Sequence, residues 1–185
     1  YNRAVDAPLQ TGSAQKPLSV YAPAFESGAV SPATVLKDLP ISYVQGAYPR
    51  NDGGRYSYSR TVLSGITSSV NPISCRTLGL IGFQYSYDFS RYLFNLEGMT
   101  DRYEAPSGKI INDLDYSPLA MGALTLGVSV KDMAAAYATF PNNGVWREAR
   151  TYTKVYDSEG NLILDRCFTI PSKEVDHIRY AVFKA

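Results

Sequence analysis

Ser13 stands three residues before Lys16 in Gly12-Ser13-Ala14-Gln15-Lys16-Pro17, and no other serine of the 185-residue chain has a lysine at that spacing. Residues three apart on a helix share a face. A lysine amine held unprotonated there can take the proton from a serine hydroxyl and make it a competent nucleophile. Further on, Ser69-Val70-Asn71 is the one Ser-x-Asn of the sequence. Each pattern alone has an ordinary reading, the first as a solvated helix face and the second as a cap or turn. In this order they point to a serine acyl-transfer site.

Other chemistries have less to work with. Cys75 and Cys167 are too few for a disulfide scaffold. With His177 as the single histidine, they also make a poor zinc site, which usually needs three protein ligands. A Ser-His-Asp triad would have to recruit His177 near the end of the sequence. Charge is almost balanced, with 18 Lys and Arg against 17 Asp and Glu and no run of one sign, which argues against a nucleic-acid partner. Hydrophobic residues make up 45%, enough for a globular core. No apolar run reaches the roughly 20 residues of a bilayer span. No cofactor or metal is called for.

The elements around the candidate residues can be read from periodicity and punctuation. Leu18, Tyr21, Ala22 and Phe25 recur at helical spacing from Ser13 to about Ser27, and Gly28 ends the element. Pro17 fits only if Ser13 lies at the helix start, and Pro23 should kink or tighten the later turn. Residues 31–60, with Pro32, Pro40, Pro49 and the turn Asn51-Asp52-Gly53-Gly54, read as irregular chain wrapping a cleft. Helix resumes over 61–68 and breaks near Asn71-Pro72, which leaves Ser69 and Asn71 on an inter-helix loop. Further helices are expected at 73–81 and 88–96. Residues 97–112 look turn-rich. Ser129-Val130-Lys131-Asp132 resembles a capping box that opens a helix over 130–140. Residues 151–156 and 161–164 predict a β-hairpin. The tyrosines at 43, 48, 56, 58, 85, 87 and 92 read as core and rim, Trp146 as a core cover, and Cys75 as an inert small hydrophobe.

Asn2-Arg3-Ala4 followed by Gly12-Ser13-Ala14-Gln15-Lys16-Pro17 resembles the start of the transpeptidase domain of penicillin-binding proteins, especially the class A, bifunctional type. The stretch from Asn51-Asp52-Gly53 through Ser69-Val70-Asn71 resembles that family's second motif and its approach. Leu126-Gly127-Val128-Ser129 through Phe140 and Asn142-Asn143-Gly144-Val145 resembles the helix and loop that follow it. The likeness runs from Asn2 to about Asp165. The family's third motif, Lys-(Ser/Thr)-Gly, has no counterpart, since no lysine here precedes Ser-Gly or Thr-Gly. The expectation is therefore a partial transpeptidase domain over 1–185, α+β in class. It would be mostly the helical portion of the penicillin-binding protein and serine β-lactamase-like fold, with a small hairpin and much of the central antiparallel sheet missing.

The resemblance implies roles. Ser13 would attack the D-Ala-D-Ala bond of a peptidoglycan stem peptide, and β-lactams would trap it as an acyl-enzyme. Lys16 would be the base and Ser69 a proton relay. Asn71 would bind substrate and orient Lys16. The Ser13 N–H would supply half of the oxyanion hole, and the missing strand the other half. The resemblance also implies a membrane-tethered parent working at the extracytoplasmic face of the bacterial membrane. A chain without the third motif is expected to be inactive alone, and its uncovered helices poorly soluble. The alternatives are a β-lactamase or D,D-carboxypeptidase of the same superfamily, and a non-catalytic binding remnant. Val70 between Ser69 and Asn71, and the lack of a Glu-x-x-x-Asn context at Glu97, Glu104 or Glu148, weigh against a class A β-lactamase.

Overall fold

A computed structural model describes residues 1–150, 152–165 and 173–174. The helical stretch that carries Ser13 and Lys16 runs from Gly12 to Glu26 in three pitches. A tight 3-10 turn over Gly12–Gln15 passes into a wide π turn over Pro17–Tyr21 and then into α1, Ala22–Glu26. Two prolines explain the change of pitch. Pro17 sits in the first turn of the π segment, where an amide is dispensable. Pro23 cannot donate to the Ser19 carbonyl, and the Ser86 hydroxyl donates to that carbonyl instead. Gly28, at φ +70°, follows the helix end as expected.

The segment 31–60 is more ordered than its prolines suggested. β1, Val35–Asp38, and β2, Tyr58–Thr61, form an antiparallel pair with Asp38 opposite Tyr58. Alternation is not visible because both strands are largely exposed and only Asp38, a charged residue, is fully buried. β2 leads directly into α2, Val62–Thr67, where the Thr61 hydroxyl accepts from Ser64 N–H as N-cap. α3, Asn71–Ile81, begins two residues earlier than expected and takes Pro72 into its first turn. α2 and α3 touch closely: a Cβ on Gly65 would come within 2.4 Å of the Ile73 side chain.

After Gly82 the helix expected at 88–96 starts sooner, as α4, Phe83–Asp88, which widens into a π turn at Phe89–Leu93. β3, Tyr103–Glu104, and β4, Ile110–Ile111, make a short hairpin within the turn-rich region. α5, Tyr116–Met121, is a helix that periodicity did not reveal. In α6, Val130–Ala138, the Ser129 hydroxyl accepts from Asp132 N–H and donates to its carboxylate at 2.7 Å. The N-cap half of the expected capping box is therefore present, and the carboxylate bonds the hydroxyl in place of the Ser129 N–H. β5, Val145–Trp146, pairs with β8, Lys173–Glu174. β6, Lys154–Tyr156, and β7, Leu162–Asp165, form the expected hairpin. Among the described residues the sheets are all two-stranded, so the fold is a partial α+β one. Its core is a helical cluster that includes Leu18, Ile73, Leu78, Phe94, Leu96 and Leu119, each completely buried. Cys167 and His177 lie outside the described residues.

Candidate active site

The 3-10 turn gives Ser13 and Lys16 their relation. With three residues per turn, positions i and i+3 lie on one side of such a turn, and the Lys16 N–H donates to the Ser13 carbonyl. Ser13 is exposed at the start of the turn, whereas Lys16 is only 2% exposed at its end. Gly12, at φ +57°, bends the chain into this turn. From below, Thr11 N–H donates to the Gly122 carbonyl at 3.2 Å, and Tyr137 Oη donates to the Ala14 carbonyl at 2.8 Å.

Lys16 Nζ reaches across to the α2–α3 turn. It donates to the Ser69 carbonyl at 2.8 Å and to Asn71 Oδ1 at 2.5 Å, and lies 3.0 Å from Ser69 Oγ. Burial pulls the amine down from 10.5 to about 8, opposed by the Cys75 thiol on α3. That thiol is itself pushed up to about 12, by burial above all. It is therefore neutral where Lys16 titrates, and desolvation sets the direction.

Ser13, Ser69 and Asn71 line one cavity of about 400 Å³, together with Asn51, Arg55 and Arg60 among others. Ser13 is exposed there, and its Oγ makes no hydrogen bond among the described residues, to Lys16 Nζ included. Lys16, Ser69 and Asn71 are thus joined by hydrogen bonds, and Ser13 shares the cavity with Ser69 and Asn71. The tyrosines do not line it, and Cys75 is wholly buried and unpaired. Among the described residues no group of three or more His, Cys, Asp or Glu is placed to hold a metal ion. Asp38 and Arg60 had no signal in the sequence, and Asn51 showed as part of a turn and as the start of the stretch that resembles the approach to the second motif.

The family description "penicillin binding protein transpeptidase domain" matches residues 1–184. The chain belongs to that family. Among curated penicillin-binding proteins, it is 30% identical over 202 residues to penicillin-binding protein 1A of Clostridium acetobutylicum, covering 100% of this chain and 23% of that protein. It is 34% identical over 166 residues to penicillin-binding protein 1F of Bacillus subtilis, covering 89% of this chain and 21% of that one. The chain therefore spans less than a quarter of these relatives. Penicillin-binding protein 1A of Haemophilus influenzae superposes with a TM-score of 0.68 at 26% identity, over 89% of this chain and 23% of that one. Penicillin-binding protein 3 of Mycobacterium tuberculosis, complexed with aztreonam, shares the fold with a TM-score of 0.74 at 19% identity, over 97% of this chain and 41% of the other.

Proposed function

We propose that this chain carries the acylating half of a serine D,D-transpeptidase site, with Ser13 the nucleophile that takes the acyl group of a D-Ala-D-Ala stem peptide. The observation that carries the reading is the Lys16 amine, buried, lowered to about 8 and held on Ser69 and Asn71 beside the cavity that Ser13 enters. An amine with that midpoint is partly unprotonated near neutral pH, which a general base requires.

The hydrogen-bond count suits a proton carrier. Neutral Lys16 keeps two N–H donors for the Ser69 and Asn71 carbonyls and has a lone pair to take the Ser13 hydroxyl proton as Oγ bonds the substrate carbonyl carbon. Charged Lys16 then has three N–H donors for three oxygens, the third being the Ser69 hydroxyl. As the C–N bond breaks, the Ser69 hydroxyl gives its proton to the departing D-alanine nitrogen and takes one from Lys16. Asn71 orients the amine and the substrate backbone, and the Ser13 N–H serves as one oxyanion donor. An amine of a second stem peptide then accepts the acyl group and closes the cross-link.

A neighbour of the same fold is complexed with the β-lactam aztreonam, and such a ring would acylate Ser13 by the same attack. A substrate of this kind lies outside the bacterial cytoplasmic membrane. Among the described residues no helix is long and apolar enough to cross a membrane. With no Lys-(Ser/Thr)-Gly among the 185 residues, the second oxyanion donor is missing by the family pattern. One lost donor costs about 10²–10³ in rate, so acylation of this chain alone is expected to be slow or absent. Intact-mass measurement with a fluorescent penicillin tests the reading on this chain and on a longer protein containing it. A stable adduct on the longer protein that disappears in Ser13→Ala supports it. Labelling that survives Ser13→Ala, or no labelling of the longer protein, overturns it, and rapid release of the adduct indicates a β-lactamase.

A further inference from the structure

The α2–α3 turn that receives Lys16 has a second anchor on its far side. α3 opens without a local cap: Val70 makes no side-chain cap bond, and Pro72 has no N–H. The Asn71 N–H is satisfied from 20 residues away, by Asn51 Oδ1 at 3.1 Å. Asn51 Nδ2 donates to Asp38 Oδ1 at 2.8 Å and to the Arg55 carbonyl at 2.9 Å. Both partners of that nitrogen are acceptors, so the amide can stand only one way round, with its oxygen toward α3.

Asp38 is completely buried at the end of β1. Its other oxygen accepts from Ser57 N–H at 2.8 Å and from Arg60 Nε at 3.2 Å. Asn71 is gripped a third time by Nδ2 on the Arg50 carbonyl at 2.7 Å. An unbroken path therefore runs from the buried carboxylate of Asp38 through Asn51 to Asn71 and on to Lys16.

We propose that Asp38 and Asn51 are positioning residues for the acyl-transfer site, holding Asn71 so that its Oδ1 stays on the Lys16 amine. The inference rests on the reading of Lys16 as the base. The Asp38 carboxylate acts on Asn51, whose own amide oxygen holds the Asn71 N–H, and a hydrogen bond to a charged acceptor is about twice as strong as a neutral one. Asp38 does this without touching Lys16.

Asn51→Ala in the 185-residue chain tests this, with the Lys16 side chain titrated by NMR. An oxygen on Nζ favours the charged amine, so losing the Asn71 contact lowers the Lys16 midpoint by about one unit, the size of one hydrogen bond to a charged group. Cys75, the titratable group that acts on Lys16 from α3, is unchanged in the variant. A midpoint that stays at about 8, or rises, in a folded variant overturns the proposal. Should Asn51→Ala not fold, Asn51→Ser is read in the same way. Acylation by penicillin, measured in a longer active protein, should fall about ten-fold in Asn51→Ala, as expected for one such bond. It should fall little further when Asn51→Ala is added to Asn71→Ala, whereas a merely structural role would give the same loss in both backgrounds. If the unsubstituted longer protein is not acylated, the transpeptidase reading fails, and the Lys16 midpoint still decides the positioning role.

Discussion

Ser69 meets the Lys16 amine twice, through its carbonyl at 2.8 Å and through its hydroxyl at 3.0 Å. The residue stands at φ +51°. The left-handed region costs roughly 1–2 kcal/mol for a residue with a Cβ. The turn is fixed at both ends, by Ser69 N–H on the Ile66 carbonyl at 3.1 Å and by Val70 N–H on the Gly65 carbonyl at 2.8 Å.

Ser69→Gly should therefore separate stability from chemistry. Glycine adopts positive φ without the Cβ penalty, and Ser69 is exposed, so water can replace the hydroxyl. The expected melting temperature is unchanged or higher. Acylation in a longer active protein should fall by about 10²-fold, the scale of a lost proton-transfer group. A variant that loses both in parallel would mean that the hydroxyl serves the turn rather than the proton.

The Lys16 amine also sets a pH signature for folding. Its midpoint falls from 10.5 to about 8 on folding, so between those values the unfolded chain binds the extra proton and stability rises with pH. Cys75 works in the opposite sense. Its thiol goes up from 9.0 to about 12, so the unfolded chain releases that proton first and stability falls with pH above 9. The two together give a gain of roughly 0.5 kcal/mol between pH 8 and 9 and a plateau beyond. Urea titrations at pH 7.5, 9 and 10 would show it. In Cys75→Ala the gain should continue to about pH 10; a flat profile from pH 7.5 to 9 in the unsubstituted chain would mean that the amine is not held neutral by burial.

The chemistry of this site was more legible than its frame. Ser13, Lys16, Ser69 and Asn71 belong to two short motifs whose residue types announce a reaction, and the capping box at Ser129 announces a helix by a local hydrogen bond. Asp38 belongs to neither kind of signal. Its burial follows from partners at 51, 57 and 60 that no local pattern connects to it. The strand pair β1–β2 escaped for a related reason, since strands exposed on both faces have no alternation to show. α5 was too short for periodicity to register and is set instead by the Asp115 side chain, which accepts from Tyr116 N–H at its start, and by Gly122 at its end.

Gly122 also gives the most severe test of how the Ser13 turn is supported. Its φ of +69° suits glycine, but that strain alone would cost only about 1 kcal/mol. Its surroundings matter more: a Cβ there would come within 2.2 Å of the Gly12 carbonyl oxygen and 2.5 Å of the Gly12 nitrogen. Both are backbone atoms of the turn that carries Ser13, so no side chain can swing aside. Gly12 provides the control, because at φ +57° it has nothing within 4 Å of an added Cβ. Gly12→Ala should therefore lose about 1 kcal/mol, from backbone strain alone. Gly122→Ala should lose about 3 kcal/mol or more, adding the displacement typical of an overfilled contact. Penicillin labelling of a longer active protein below its melting temperature should be weaker in Gly122→Ala than in Gly12→Ala, since the first variant must push the nucleophile's turn away from the Lys16 network. Equal melting temperatures for the two would show that α5 yields in place of the turn, and that Ser13 is not braced from that side.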